Sequence, residues 1–168
     1  MKNLSALKVS SMAICTAIVA VFTLVVKIPL GTGYLNLCDL AIAFIAFTLG
    51  PVTAFVAAAF GTAIADIVSG YPQWAIISFI SHGLEALVIA LIVSKNKGIV
   101  NKIVAAILGT IIMVGGYYLL GSLFLEGFSA SLASVPGNTA QCVFGMVFGL
   151  IISQSVRKAY PLVDKLAW

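Results

Sequence analysis

Charge is what this chain has least of: nine Lys and Arg, five Asp and Glu and one His among 168 residues, 8% charged. A soluble domain averages roughly a quarter charged residues. A chain 62% hydrophobic with a mean hydropathy of +1.18 therefore cannot make a water-facing globule, and an integral membrane protein is what remains. Other absences narrow the chemistry. There is no Gly-x-x-x-x-Gly-Lys-Ser/Thr phosphate loop and no soluble domain to hold one, so energy for any pumping has to come from a partner. No Gly-x-Ser-x-Gly elbow occurs, His82-x-x-Glu85 lacks the second histidine of a His-Glu-x-x-His zinc site, and Asp39 and Asp66 form no evident catalytic pair. An enzyme is not expected. Cys15, Cys38 and Cys142 are odd in number and widely scattered, giving neither a disulfide framework nor a metal-ligand spacing, and are expected as small packing residues. No metal or cofactor is expected. With no basic-aromatic stripe, the net charge of +4 reads as membrane topology and contact with anionic lipid, and not as nucleic-acid binding.

What is present is a succession of apolar runs. About 20 residues cross a bilayer, so the chain has room for about six spans in one all-α bundle over residues 1–168. The runs place them near Leu4–Val26, Leu37–Leu49, Val52–Val68, Gln73–Val93, Val100–Leu125 and Val135–Val156. The second and third are short. Gly50-Pro51 separates them as a tight helical hairpin, with one kinked helix as the alternative, because proline lacks the donor a continuing helix needs. The first run is preceded by Lys2 and Lys8 like a signal peptide. It is longer than an h-region and has no small-x-small cleavage pattern before Lys27, so it is read as the first membrane helix.

Charge supplies the orientation. Lys2 and Lys8, then Lys95, Lys97 and Lys102, then Arg157, Lys158 and Lys165 fall on one side of a six-span chain, and the positive-inside rule makes that side the cytoplasm, with both termini. Lys27 is the cation left on the other side, whereas Asp39, Asp66 and Glu126 fall near the outer ends of spans. Small residues recur every four positions at Ala13 and Ala17, at Ala57, Gly61 and Ala65, and at Gly145 and Gly149, a spacing that lets another backbone approach. The latter two stripes are expected to pack within the bundle. The Ala13/Ala17 face is as well suited to a separate protein.

Hydrogen-bonding groups inside lipid-fit segments need partners or a cavity. Trp74, Ser78, Ser81, His82 and Glu85 share one helical face of the fourth span. At 1.5 Å per residue, Ser78 lies roughly 8 Å, His82 roughly 14 Å and Glu85 about 18 Å below Gln73. Tyr117 and Tyr118 approach the same level from the fifth span, and Asn138 and Gln141 stand one turn apart in the sixth, just after Val135-Pro136-Gly137. Three helices thus aim polar and aromatic side chains at one level of the outer half, which predicts a pocket for a small polar molecule. The ordinary readings are interfacial belt residues for Trp74 and the tyrosines, backbone bonding for Ser78 and Ser81, a helix cap for Asn138, and a neighbouring-helix bond for His82. Glu85 is either pocket floor or a partner of His82. Between the first two spans, Pro29, Gly31 and Gly33 break the chain, and Tyr34, Asn36 and Asp39 follow where a loop would close over the pocket. Ser69-Gly70-Tyr71-Pro72 would form the opposite rim, and Asp66 is expected to pair with Lys27 or cap a helix end.

Tryptophan and tyrosine faces suit a flat heterocycle, and Asn, Gln, His and Glu85 supply donors and acceptors. An aromatic heterocycle of modest size is the expected solute. A partly cationic aminopyrimidine would give Glu85 a counter-charge role. A stand-alone carrier would need polar groups along the inner half too, where the second, third and sixth spans are mostly apolar and small.

Gly33-Tyr34-Leu35-Asn36-Leu37-Cys38-Asp39, Leu49-Gly50-Pro51, the run from Ala63 to Tyr71 (Ala-Ile-Ala-Asp-Ile-Val-Ser-Gly-Tyr), His82-Gly83-Leu84-Glu85 and Pro136-Gly137-Asn138 with Gln141 resemble, in order and spacing, the substrate-binding S components of energy-coupling factor (ECF) vitamin transporters of the riboflavin and hydroxymethylpyrimidine group. The resemblance spans nearly the whole chain. It implies a six-helix, multi-pass protein of a bacterial-type plasma membrane that binds a vitamin from outside under the loop between its first two helices. It further implies docking on a transmembrane scaffold subunit carrying two cytoplasmic ATPases, through a first-helix face that here matches Ala13 and Ala17. Tyr34, Asn36, Asp39, Trp74, Ser78, His82, Glu85, Tyr117, Tyr118, Asn138 and Gln141 are the expected substrate contacts. Where the family often has glycine before the loop aspartate this chain has Cys38, and where many relatives have lysine in the fourth helix it has His82, which weakens a riboflavin assignment; within what the resemblance implies, hydroxymethylpyrimidine or a vitamin B6 form such as pyridoxine fits best and riboflavin is next.

Overall fold

The computed structural model describes residues 2–30 and 33–168, with side chains over 5–29 and 34–168. Gly31, part of the expected chain break, lies outside the described residues, and so does the side chain of Lys2. Six α-helices follow one another: α1 (Lys2–Val25), α2 (Cys38–Thr48), α3 (Pro51–Val68), α4 (Ala75–Lys95), α5 (Ile99–Phe124) and α6 (Gly127–Ala159). Between α1 and α2 stands a hairpin of β1 (Ile28–Leu30) and β2 (Gly33–Leu35), and a 3-10 helix, Pro161–Leu166, follows α6.

Five of these helices are long and apolar enough to cross a membrane; α2, with 11 residues, is not among them. At 1.5 Å per residue α2 is about 16 Å long, half the hydrocarbon thickness. Its surroundings explain its shortness. Ile42, Ala43, Ile45, Ala46 and Phe47 are at most 2% exposed, so α2 is a plug enclosed by the other helices and has no lipid thickness to match. Close backbone approach makes room for it: a Cβ on Gly145 would fall 2.5 Å from the Asp39 carbonyl carbon, and one on Gly149 2.6 Å from the Ala43 Cβ. The α6 stripe therefore packs on α2, and the α3 stripe packs on α1, where a Cβ on Gly61 would lie 2.7 Å from that of Val19. Ala57 and Ala65 are fully buried beside it. By contrast Ala13 and Ala17 are exposed, between Ile14 at 60% and Ile18 at 37% exposure.

The expected hairpin at Gly50-Pro51 is present. Gly50 takes φ 84°, the left-handed region where a side chain is strained, and Pro51 opens α3 at a position whose missing N–H costs nothing. Trp168 clasps this turn: its N–H donates to Leu49 O at 2.8 Å and its carbonyl accepts from Val52 N–H at 2.8 Å. The 3-10 helix is anchored through Asp164, which meets Arg157 Nε at 3.0 Å and Lys97 Nζ at 3.3 Å. Slight burial pushes the Asp164 carboxyl up, but those two cations outweigh it and hold it below the usual range.

Two expectations need correction. The break at 29–33 is an antiparallel hairpin pairing Ile28 with Leu35 and Pro29 with Tyr34; an edge strand tolerates Pro29 because no further strand needs its donor. The sixth helix starts at Gly127, not Val135, and Pro136 lies inside it. The bond that Pro136 cannot make is the one to the Leu132 carbonyl; Pro136 itself is exposed, and Thr139 Oγ1 donates to Val135 O at 2.8 Å in the next turn.

Candidate functional site

The β-hairpin and the adjoining ends of α3, α4, α5 and α6 surround a polar cavity with about 50 Å³ of free space, room for three or four waters. Its aromatic wall is Trp74 stacked on Tyr117, ring centroids 5.8 Å apart and planes at 25°. Trp74 is only 9% exposed, which does not fit a belt residue at the lipid interface. Tyr34 and Asn36 enter from the hairpin side, and Asn138 from α6.

Asp66 organises the wall. It accepts from the Tyr34 hydroxyl at 2.8 Å and from the Ser78 hydroxyl. With its proton committed to Asp66, Ser78 Oγ accepts from the Tyr117 hydroxyl 2.5 Å away. The serine thus bonds side chains of α3 and α5 and not its own backbone, and Asp66 pairs with neither Lys27 nor a helix cap. Lys27 Nζ instead donates to Ser69 Oγ at 2.6 Å and lies 5.2 Å from the Tyr34 ring centroid. Burial, the largest effect, pushes the Tyr34 phenol above its ordinary range, so it stays protonated and donating at neutral pH.

Below the cavity lies a second, sealed set. Asn36 Oδ1 accepts from the Cys38 N–H at 2.7 Å, an Asx turn that starts α2, and the Asn36 N–H donates to Gln141 Oε1 at 2.7 Å. The other end of that amide, Gln141 Nε2, donates to Asp39 Oδ2 at 2.5 Å. Gln141 therefore ties the hairpin exit to α2 from α6. His82 Nδ1 lies 2.9 Å from Glu85 Oε2 and 3.4 Å from Asp39 Oδ1, joining α4 to α2. Cys142 Sγ completes the set, 3.7 Å from Asp39 Oδ1 and 3.6 Å from Glu85 Oε1.

Of the eleven residues expected at the site, Tyr34, Asn36, Trp74, Ser78, Tyr117 and Asn138 line the cavity, whereas Asp39, His82, Glu85 and Gln141 bond one another beneath it. Tyr117 connects the two levels, its ring centroid 5.5 Å from that of His82. Tyr118 faces elsewhere, 6.3 Å from the ring of Phe128. Successive helical residues diverge by about 100°, so only one of two adjacent tyrosines can face the cavity. Ser81 is 1% exposed and its hydroxyl has no partner among the described residues, because α5 approaches it closely at Gly116.

Sequence reasoning missed Asp66, Glu126, Ser131 and Ser134 on the cavity wall. Ser131 donates to Glu126 Oε1 at 3.0 Å. The signal of Ser131 and Ser134 was masked by the late start given to the last helix: once α6 begins at Gly127, Ser131, Ser134, Asn138 and Gln141 fall on one helical face.

An apolar helical bundle with a polar, aromatic-walled cavity at one end defines a membrane protein able to receive a small solute. The chain belongs to the family of ECF-type riboflavin transporter S components, whose family model matches residues 3–158. It is accordingly a membrane-embedded transport component. Among its relatives, the "Thiamine precursor transporter HmpT" of Lactococcus lactis subsp. cremoris (strain MG1363) is 25% identical over 161 residues, 94% of this chain and 92% of the relative. An "Uncharacterized protein in gap 3'region" of Pyrococcus woesei is 31% identical over 133 residues, 78% of this chain and 88% of the relative.

Proposed function

We propose that the protein captures a single-ring aromatic heterocycle, hydroxymethylpyrimidine or a B6 form such as pyridoxine, in the cavity beside Trp74 and Tyr117, and hands it inward by docking on an ECF scaffold with two ATPases. The observation that carries this reading is the Trp74–Tyr117 stack bordered by Asp66, Ser78, Asn36 and Asn138, a flat apolar surface beside groups that bond ring nitrogens and hydroxyls. About 50 Å³ of free space holds neither guest as it stands, so the walls must part for either, and a single ring asks for less movement than the three fused rings of riboflavin. The name of the Lactococcus relative supports the pyrimidine choice. In this reading α2 completes a six-helix arrangement, the hairpin faces outside as a lid, and the exposed Ala13/Ala17 face of α1 meets the scaffold.

Tryptophan fluorescence tests the capture step, since the chain has only two tryptophans and Trp168→Phe leaves Trp74 as the reporter. Saturable quenching by hydroxymethylpyrimidine or pyridoxine is expected, with riboflavin weaker by at least about tenfold, the cost of about 1.4 kcal/mol. Tighter binding of riboflavin would reverse the substrate assignment. Uptake into liposomes by the purified protein alone would contradict the need for scaffold and ATPases, whereas Ala13→Phe or Ala17→Phe is expected to abolish co-purification with them and leave quenching intact.

A further inference from the structure

The sealed set beneath the cavity holds chemistry that solute capture does not use. Cys38 and Asp39 open α2, His82 and Glu85 lie one turn apart on α4, and all four are 2% exposed or less. Among the described residues neither carboxylate is paired with a lysine or arginine, so His82 is the one cationic partner offered to both. Cys38 Sγ stands 3.6 Å from His82 Nε2 and 3.8 Å from Asp39 Oδ2, and the three donor groups lie within 4.8 Å of one another. A thiolate bound to Zn²⁺ at about 2.3 Å and an imidazole nitrogen at about 2.05 Å, opened to the tetrahedral angle, sit about 3.5 Å apart; thiolate and carboxylate oxygen sit about 3.6 Å apart.

A thiol donating to an imidazole has a similar spacing, so the far sides of these groups carry the choice. His82 Nδ1 faces Glu85 Oε2 at 2.9 Å and Asp39 Oδ1 at 3.4 Å; a proton on Nδ1 serves both carboxylates and leaves the Nε2 lone pair directed at Cys38. Asp39 Oδ2 is held at 2.5 Å by Gln141 Nε2. A carboxylate behind the imidazole and a donor behind the carboxylate are the outer contacts that orient metal ligands. We propose that Cys38 Sγ, His82 Nε2 and the Asp39 carboxylate form a site for a borderline-soft divalent transition ion of the Zn²⁺ type, with Glu85 and Gln141 as positioning residues and water in the fourth position. Binding displaces the Cys38 thiol proton to solvent. The ion fastens the start of α2 to α4 below the cavity, whatever solute the cavity takes.

The test reads metal, not transport. Protein carrying a histidine-free tag is loaded with a small excess of Zn²⁺ or Co²⁺ and desalted. About one equivalent is expected to remain, the Co²⁺ form showing tetrahedral d–d bands and a thiolate-to-cobalt charge-transfer band, and zinc X-ray absorption showing sulfur in a four-coordinate shell. The chain has one histidine, so any imidazole contribution to that shell is His82. Cys38→Ser is expected to lower retained metal by at least about tenfold and remove the charge-transfer band, and Glu85→Gln to weaken retention by about 10–100-fold with the band kept at saturating Co²⁺. Cys15→Ser, buried on α1 outside the set, is expected to change nothing. Retention below about a tenth of an equivalent by the wild type, a shell of oxygen and nitrogen alone, or a charge-transfer band surviving in Cys38→Ser would each overturn the proposal. The wild-type spectra decide even if Cys38→Ser fails to fold.

Discussion

The cavity wall and the sealed set below it are built from the same kinds of residue and behave oppositely. On the wall, Tyr34, Asp66, Ser78 and Tyr117 also bond one another, but they border free space together with Asn138 and the stacked rings of Trp74 and Tyr117. Below, Gln141, Asp39, His82, Glu85 and Cys142 spend their bonds on one another and so join α2, α4 and α6. The difference teaches that a polar side chain inside lipid-fit sequence has two distinct placements, bordering a cavity or fastening helices away from it. What separates them is position relative to α2. Residues beside the hairpin, above the start of α2, face the cavity, and those level with its first turn are covered by it.

The contrast is open to attack from both sides. His82→Leu should have the largest effect, because Asp39 and Glu85 would be left buried without their shared partner; a stability loss of about 3–5 kcal/mol is expected, read as a much lower Tm in detergent. Gly145→Ala should come next. Its Cβ would lie 2.5 Å from both the Asp39 carbonyl carbon and the Asp39 Cβ, and forcing α6 off α2 should cost about 1–3 kcal/mol, again in Tm. Trp74→Ala should move the other observable, weakening solute affinity by about 1–3 kcal/mol, the usual worth of an aromatic stacking face. If Trp74→Ala lowered Tm as much as His82→Leu and left affinity alone, wall and floor would not be separate in kind. The smallest effect concerns pH. Asp164 is depressed in the folded state, so its contacts with Arg157 and Lys97 stabilise fully above its ordinary value of 3.8 and are lost as pH falls through the lower folded value; loosening of the 3-10 helix, followed by hydrogen exchange, should appear only there. Because Lys97 and Asp164 are each about half exposed, high salt should weaken that contact as well.

Much of this was legible in the sequence because lipid leaves few options. Hydropathy located five long helices, Gly50-Pro51 marked the hairpin, and the small-residue stripes of α3 and α6 predicted which faces pack inside. The shared face of Trp74, Ser78, Ser81, His82 and Glu85 was correct as a face, and all five are 9% exposed or less. Depth along that face did not tell which residues meet solvent, since that depends on where α2 ends, and α2 is too short to be ranked by hydropathy. The start placed near Val135 was late, because Pro136 lies inside a longer helix that begins at Gly127. The surroundings of Cys38 were hidden for a related reason. Cys38 is one residue from Asp39 in sequence but 44 from His82 and 103 from Gln141, and only the packing of α2 against α4 and α6 unites them.

The most direct measurement is native mass spectrometry of the detergent-purified protein, before and after incubation with hydroxymethylpyrimidine, pyridoxine and riboflavin. One retained or added single-ring heterocycle per chain, lost in Trp74→Ala, is the predicted result. A bound flavin, or no mass shift with either single-ring compound, would contradict the account.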